Sequence, residues 1–249
     1  MEKNSINAVE ISDVWKKFFI CQDRTRSIKE RLIFWGRQRV EEFWALKNIN
    51  LSAPVGKTIG LIGRNGSGKS TLLKIISRIL YPSSGEIFIN GRVSTLLELG
   101  AGFHPDFTGR ENIFLNGSIL GFSRKEINLH LKNIIEFAEL GDFIDNPIRN
   151  YSSGMYMRLG FSIAVHVKPD ILLIDEVLAV GDLAFQEKCL ARIKDLQKQG
   201  KTIIFVTHSP AQVRELCDLV VWLDRGEIRS FGAAEQVVAE YTAFLGGAI

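Results

Sequence analysis

The sequence predicts an α/β fold with three parts: a core of parallel strands and helices, an N-terminal antiparallel β region, and an inserted helical lobe. Three observations lead to this prediction. A glycine-rich loop, residues 63–71, lies between a short apolar strand and the start of a helix. Residues 170–175, DILLID, form an apolar run typical of a buried parallel strand. Between these two features, residues 108–167 show helical periodicity.

Length and composition suit a single α/β domain, residues 1–249, whose helical lobe covers about residues 104–168. The net charge of +3 is too small to indicate nucleic acid on its own, and we expect no nucleic-acid partner. Cys21, Cys189 and Cys217 lack metal-ligand spacing, which favours a reducing, cytoplasmic setting. We find no signal peptide and no apolar run that could span a bilayer, so any membrane role should depend on a partner.

The N-terminal region is predicted to be mainly β structure. Residues 6–20 alternate apolar and polar side chains, which predicts a strand followed by an aromatic turn at Trp15, Phe18 and Phe19. Residues 46–62 predict two strands around a turn at residues 54–57. The intervening residues 22–44 form a basic insert with one short helical face. Two interpretations stay open: a satellite helix with a solvated basic face, or contact with a membrane surface or membrane partner.

The remaining elements follow from periodicity and turn signals. The helix after the glycine-rich loop should run to about Leu80. Later segments predict strands at 86–91 and 92–99, a strand at 170–175, a helix at 185–198, a strand at 201–206, a closing hairpin over 219–231 and a last helix at 235–245.

The glycine-rich loop fits the pattern G-x-x-x-x-G-K-[ST], which binds phosphate. Backbone N–H groups and a helix dipole at such a turn favour negative charge. We expect Lys69 to reach the β- and γ-phosphates and the Ser70 hydroxyl to ligate Mg²⁺. A turn that merely caps a helix is the weaker interpretation, because the full motif stands between a strand and a helix. The candidate nucleotide ligands are Gly63, Arg64, Asn65, Gly66, Ser67, Gly68, Lys69, Ser70 and Thr71.

Two acidic residues end the apolar strand at 170–175. In phosphate-loop enzymes an acid at this position holds Mg²⁺, so Asp175 is the candidate metal ligand. Glu176 follows it and is the candidate general base for a water that attacks the γ-phosphate. Surface acids are a poor alternative, since parallel strands present their carboxyl ends to the ligand.

A second helix N-terminus carries hydroxyl groups and glycine. Residues 151–158, YSSGMYMR, which we call the signature segment, open a predicted helix. One interpretation is that Ser152 and Ser153 simply cap the helix. A helix N-terminus of this kind is also suited to bind phosphate, and it stands between the glycine-rich loop and a core strand.

Taken in order, these motifs resemble those of the ATP-binding cassette (ABC) ATPases. Ser152, Ser153, Gly154 and Met155 fall on the Ser-Gly-Gly-Gln of that family's signature. The family's short loop with an aspartate falls on residues 179–182, ending in Asp182, and its switch histidine falls on His208. The resemblance covers essentially the whole chain.

The resemblance implies a phosphate-loop NTPase fold with a RecA-like parallel-sheet core, and ATP and Mg²⁺ as cofactors. It also implies a homodimer in which two cassettes pair head to tail. ATP on the phosphate loop of one would be clamped by Ser152 and Gly154 of the other. Lys69, Glu176 and His208 would be the catalytic residues. The residues implied to contact nucleotide further include Ser153, Asp182 and an aromatic ring for adenine, for which Phe18 is the first candidate and Trp15 the reserve.

Departures from the common family pattern point to one subgroup. Glu98 stands at or near the usual glutamine, where it could ligate Mg²⁺ but would add negative charge beside phosphate. Residues 96–112, the signature segment and residues 175–182 are similar to ATP-binding subunits of bacterial polysaccharide exporters, which move lipid-linked O-antigen, capsule or teichoic acid chains. The long insert at residues 22–44 also fits that group. Some members carry a C-terminal carbohydrate-binding domain, for which nothing after Leu245 leaves room, so this member lacks it or the sequence is part of a longer chain.

That subgroup implies partners and a location. The homodimer would act on an integral-membrane permease dimer of the ABC-2 type, at the cytoplasmic face of the inner (cytoplasmic) membrane. The permease would dock on the helical lobe and on the loop around residues 98–107. Three other functions stay open: an exporter of another cargo, a non-transport ABC ATPase acting on DNA or ribosomes, and a phosphate-loop kinase.

Overall fold

The computed structural model describes residues 6–21, 40–97, 99–175, 181–207 and 209–246. The strands are β1 (Asn7–Cys21), β2 (Val40–Pro54), β3 (Thr58–Ile62), β4 (Ser84–Ile89), β5 (Val93–Thr95), β6 (Ile171–Asp175), β7 (Thr202–Val206), β8 (Leu219–Asp224) and β9 (Glu227–Ala233). The helices are α1 (Lys69–Ile76), α2 (Gly109–Ile119), α3 (Arg124–Ala138), α4 (Ser153–His166), α5 (Leu183–Lys198), α6 (Pro210–Leu216) and α7 (Ala234–Gly246). Short 3-10 turns occupy Gly141–Asp145 and Ile148–Asn150.

The described strands form two sheets. The larger has the order β5-β6-β7-β3-β8-β9 and is parallel except for β9, which pairs antiparallel with β8. The smaller has the order β2-β1-β4 and is antiparallel. The carboxyl ends of β3 and β6 therefore lie at the same edge of the larger sheet, where an α/β fold binds its ligands.

Apolar side chains bury the two faces of the larger sheet differently. One cluster fills the space between the two sheets and around α1, with Val9, Leu46, Leu61, Leu72 and Leu173 among its members. A second cluster covers the opposite face with side chains from α4, α5, α6 and α7. The fold class predicted from the sequence is confirmed: an α/β core with an N-terminal antiparallel β region.

Helices α2, α3 and α4 share a third apolar cluster, which is the core of the helical lobe. Helix α4 is apolar on two sides. Its Leu159 and Ile163 belong to the lobe cluster, whereas Phe161 and Val165 belong to the cluster against the larger sheet. Since one helix serves both cores, α4 attaches the lobe to the sheet. The extent of the lobe as a unit over residues 104–168 stays a prediction.

Two predicted boundaries differ from the structure. The aromatic turn at Trp15, Phe18 and Phe19 is part of β1, because these residues pair along β2 and β4 after an irregularity near Asp13. Helix α1 ends at Ile76 rather than near Leu80, and Arg78 soon after it adopts a left-handed backbone conformation.

Most of the basic insert, residues 22–39, lies outside the described residues, while residues 40–44 belong to β2. Within the described ranges, every helix is too short or too polar to cross a membrane.

Candidate nucleotide-binding site

The glycine-rich loop lies between β3 and α1, as the motif predicts. Residues 65–71 line a cavity of about 460 Å³ together with Phe43, Ala45 and Asp175. The loop leads into the N-terminal turn of α1, which lies at this cavity, so the positive end of the helix dipole faces it. The Ser67 hydroxyl is buried beside the cavity and has no hydrogen-bond partner within the described residues. An anion of the size of a nucleotide polyphosphate fits this arrangement.

Tertiary contacts hold the loop in place before any ligand binds. Gly68 has a φ of 108°, and a Cβ at this position would lie 2.8 Å from the carbonyl oxygen of Ala45 on β2. The Ser67 carbonyl accepts a hydrogen bond from Gly226 N at 3.0 Å, and Lys47 N donates to the Gly226 carbonyl at 2.7 Å. The loop is thus pinned to β2 and to the β8–β9 turn, and only glycine fits at position 68 without strain.

The Lys69 ammonium lies across the loop. Its Nζ donates to the carbonyl oxygens of Gly63 at 2.8 Å and Arg64 at 3.1 Å, and the residue is only 6% exposed. Burial and these carbonyl contacts fix the position of the cation within the curve of the loop. From this position the charge is available to phosphate oxygens in the cavity, in the role predicted for Lys69.

Ser70 and Asp175 lie together at the edge of the cavity. The Ser70 hydroxyl, in the first turn of α1, lies 3.4 Å from Oδ2 of Asp175 at the end of β6. Both groups are hard oxygen donors of the kind that Mg²⁺ prefers, and Mg²⁺ in nucleotide sites usually keeps waters and phosphate oxygens as its other ligands. No group of three or more His, Cys, Asp or Glu side chains suited to a metal ion is present within the described ranges. The donor pair therefore suits a metal shared with phosphate.

The aromatic ring in the cavity wall is Phe43, whereas the sequence favoured Phe18. Phe18 on β1 pairs directly with Phe43 on β2, and Lys16 Nζ lies 5.3 Å from the centre of the Phe18 ring. Phe43 was missed because it fell within residues 22–44, which the sequence assigned to the insert. Whether Phe18 or Phe43 contacts adenine is a prediction in either case.

The signature segment does not line the cavity that holds the phosphate loop. Ser152 is the N-cap of α4, where its hydroxyl accepts a hydrogen bond from Met155 N at 3.2 Å. Ser152 and Ser153 are exposed. The described residues that line the nucleotide cavity do not include Ser152, Ser153 or Gly154. Within the described residues, the two segments predicted to bind phosphate therefore do not share one cavity.

Asp182 forms hydrogen bonds with α4, which begins in the signature segment and which we call the signature helix, and with its own helix, α5. Its carboxylate accepts from Arg158 Nη2 at 2.8 Å and from Phe185 N at 2.9 Å, the latter as the N-cap of α5. Arg158 also donates to Glu139 at 3.2 Å. These contacts attach Asp182 to α4, and its predicted contact with nucleotide stays a prediction. The other predicted site residues, Glu98, Glu176 and His208, lie outside the described residues.

Comparisons with known proteins agree with this geometry. The family model described as ABC transporter matches residues 46–179. The chain is 53% identical to the O-antigen export system ATP-binding protein RfbB of Myxococcus xanthus, over 95% of this chain and 56% of that protein. It is 46% identical to the teichoic acids export ATP-binding protein TagH of Listeria monocytogenes serotype 4b, over 95% of this chain and 70% of that protein.

The fold also matches a solved structure, a dimeric ATP-binding cassette in a post-hydrolysis state bound to ADP and Pi. The TM-score is 0.71 at 24% identity, and the match covers 91% of this chain and 98% of that chain. At this level of identity the similarity establishes the fold. The chain spans little more than half of the Myxococcus relative, so activity, cargo and partners require their own argument.

Proposed function

This chain belongs to the ABC transporter family, and we propose that it is the ATP-hydrolysing subunit of an exporter of lipid-linked polysaccharide. The family resemblance inferred from the order of the motifs is thereby confirmed. One observation carries the functional proposal: the phosphate loop lines a preformed cavity, while the exposed signature serines, Ser152 and Ser153, do not line it.

Two copies would complete each site. The hydroxyl of Ser152 and the N-terminal N–H groups of α4 have the chemistry of an anion site, and they do not line the nucleotide cavity of their own chain. In a two-fold symmetric pair, each signature segment can face the phosphate loop of the other copy, which gives two equivalent composite sites. The solved cassette with this fold is dimeric, which supports the arrangement.

The residues divide the chemistry between binding and proton transfer. The loop N–H groups and Lys69 would hold the β- and γ-phosphates, and Ser70 and Asp175 would hold Mg²⁺, with Glu98 as a further candidate ligand. Bound Mg²⁺ neutralises charge on the phosphate oxygens.

Glu176 follows Asp175 in the chain and would accept a proton from the attacking water. His208 follows β7 and Thr207 and would contact the γ-phosphate, and Asp182 would complete the composite site.

The partner would be a membrane permease dimer of the ABC-2 type, bound at the cytoplasmic face of the membrane. A groove of about 470 Å³ separates the core from the helical lobe and is lined by Arg92, Leu99, Gly100 and Ile119, among others. Ile119 is exposed at this groove, and Phe107 is exposed nearby in the chain. Apolar side chains open to solvent beside a concave surface suit a partner segment that buries them. ATP binding would close two cassettes and move the docked permease.

The cargo is inferred from the relatives. Their names state export of O-antigen in Myxococcus and of teichoic acids in Listeria, and both cargoes are polysaccharides. An exporter of another cargo is the main alternative. Removing this chain from its host should leave lipid-linked polysaccharide on the inner side of the membrane and deplete it from the cell surface. Unchanged surface polysaccharide would favour the alternative.

A complementation experiment tests the composite site directly. Lys69→Ala should disable the phosphate loop, and Ser152→Arg should place a bulky cation in the signature segment. Each variant alone should lose ATP turnover. In a mixed dimer, one site would carry both defects and the other neither, so mixing equal amounts should restore up to about a quarter of the wild-type rate.

The wild-type rate per subunit should also rise with protein concentration, because active sites form only in the dimer. Lys132→Ala, an exposed lysine of the helical lobe, serves as the control for Lys69→Ala. A mixture that stays inactive, or a Ser152→Arg variant with a normal, concentration-independent rate, would indicate a phosphate-loop enzyme of another kind.

A further inference from the structure

A short loop links the groove to the signature helix. Residues 99–103, which we call the groove loop, follow the end of β5 and line the groove between core and lobe with Leu99, Gly100 and Ala101. Groups of the helical lobe hold this loop. The carbonyl oxygen of Ala101 accepts a hydrogen bond from Asn116 Nδ2 on α2 at 2.8 Å. The groove loop therefore connects the surface that faces a partner with the lobe that carries the signature segment.

Tyr156 makes the contact between the groove loop and α4. Its hydroxyl donates to the carbonyl oxygen of Gly100 at 2.9 Å, and its ring meets the Phe103 ring edge-on at 5.0 Å. Partial burial raises the pKa of Tyr156, so the hydroxyl is a stable donor at neutral pH. Phe103 N also donates to Gly100 O, at 2.9 Å, so this one carbonyl joins the turn of the loop to the helix.

The loop approaches the helix closely, with glycine on both sides of the contact. Gly100 has a φ of 78°, and a Cβ there would lie 2.2 Å from Cε1 of Tyr156. On the helix, a Cβ at Gly160 would lie 3.0 Å from Gly100 N. Tyr156 and Gly160 are four residues apart and share one face of α4. Because of these close contacts, a movement of the groove loop should move α4 as well.

The position of Tyr156 connects this contact to the signature segment. Tyr156 lies in the first turns of α4, and its backbone N–H donates to the carbonyl oxygen of Ser152 at 3.0 Å. We propose that Tyr156 is a positioning residue, whose hydroxyl holds the signature end of α4 in register with the groove loop so that Ser152 meets the ATP bound by a second copy. This inference rests on the proposed composite site, and it adds a route by which a segment in the groove acts on that site.

Tyr156→Phe is the informative variant, because it removes the hydroxyl and keeps the ring against Phe103. We expect turnover at saturating ATP to fall about threefold to tenfold, the range for losing one neutral hydrogen bond. The affinity for ADP should stay unchanged, since ADP would be held by the cavity of one chain, which Tyr156 does not line. Tyr81→Phe is the matched control, because the Tyr81 side chain is 77% exposed, and this variant should behave as wild type.

A double-mutant cycle with Ser152→Ala separates positioning from simple stabilisation. If Tyr156 acts through Ser152, the double variant should turn over ATP no more slowly than Ser152→Ala alone, because the two losses share one cause. Additive losses, or wild-type turnover in Tyr156→Phe, would overturn the inference and leave the composite site intact. A Ser152→Ala variant with normal turnover would overturn the proposed function as well.

Discussion

The phosphate loop and the signature segment are both helix N-termini with hydroxyl groups and glycine, yet they differ in their tertiary contacts and in their exposure. The phosphate loop contacts β2 and the β8–β9 turn through Ser67 and Gly68, and Lys69 is buried within it. The signature segment is exposed at Ser152, whose hydroxyl is occupied by its own helix cap. The first element therefore lines a cavity formed by one chain, while the second would form a site only with another surface, as in the proposed dimer.

This difference separates two kinds of defect. A change in the phosphate loop should impair nucleotide binding in a single copy, since the cavity is formed by one chain. A change in the signature segment should spare binding and impair only turnover, since its contacts would be made in the dimer. Three further experiments test this separation, beginning with the largest expected effect.

Substituting one glycine in each element compares them directly. Gly68→Ala places a Cβ 2.8 Å from the Ala45 carbonyl at a φ of 108°, so we expect a loss on the order of 3 kcal/mol, about a hundredfold in ATP affinity. Gly154→Ala places its Cβ 3.9 Å from the Ser152 hydroxyl, an ordinary contact. Equilibrium binding of ADP and ATP to each variant provides the measurement.

In Gly154→Ala, ADP binding and thermal stability should be retained, because alanine suits a helix interior better than glycine. Turnover should fall, since the methyl group occupies the surface offered to the second copy. Equal losses of ADP affinity in both variants would show that the two elements do not differ in this way.

Acid should destabilise α4, the helix that begins in the signature segment, because this helix ends in a buried histidine. His166 ends α4, is buried, and contacts Ser162 O through Nδ1 at 2.8 Å. Burial, helped by nearby Arg192, lowers the pKa of His166 to about 4 from 6.5. Because the folded-state pKa is the lower one, stability is fully present above about pH 6.5 and is lost as pH falls towards 4. We expect a loss of about 2 kcal/mol between pH 7 and pH 5.

Urea denaturation at both pH values would measure this change. His166→Gln should flatten the pH dependence in that window, while His104→Gln, at an exposed histidine of the same lobe region, should leave it in place. A pH dependence that survives in His166→Gln would assign it to other groups.

The smallest expected effect concerns the base of the nucleotide. Phe43→Ala should raise the KM for ATP by about threefold to tenfold with little change in kcat, because one aromatic contact contributes about 0.5–1.5 kcal/mol. Phe18→Ala should change KM less, since Phe43 and not Phe18 lines the cavity. KM values for ATP and GTP in both variants would test this, and a larger effect of Phe18→Ala would restore the assignment made from the sequence.

Elements whose conformation depends on neighbours in the chain were predictable. The phosphate loop, the α1 start and the pairing of Ser70 with Asp175 follow from a glycine pattern and from strands that end at one edge of a parallel sheet. The closing hairpin and the last helix were also predicted within about two residues, because turn residues and periodicity mark them. The parallel sheet and the inserted helices needed no more than the order of apolar runs.

Contacts between distant segments were not predictable from the residues alone. Phe43 lines the cavity because β2 pairs with β1 in one particular register. The alternation of apolar and polar residues does not specify that register in two strands that are both rich in aromatic residues. Asp182 meets Arg158, and Tyr156 meets Gly100, only after segments from separate parts of the chain pack together. Local sequence thus defined the phosphate site, whereas the connections between that site, the signature helix and the groove depend on side-chain packing over 24 to 56 positions of separation.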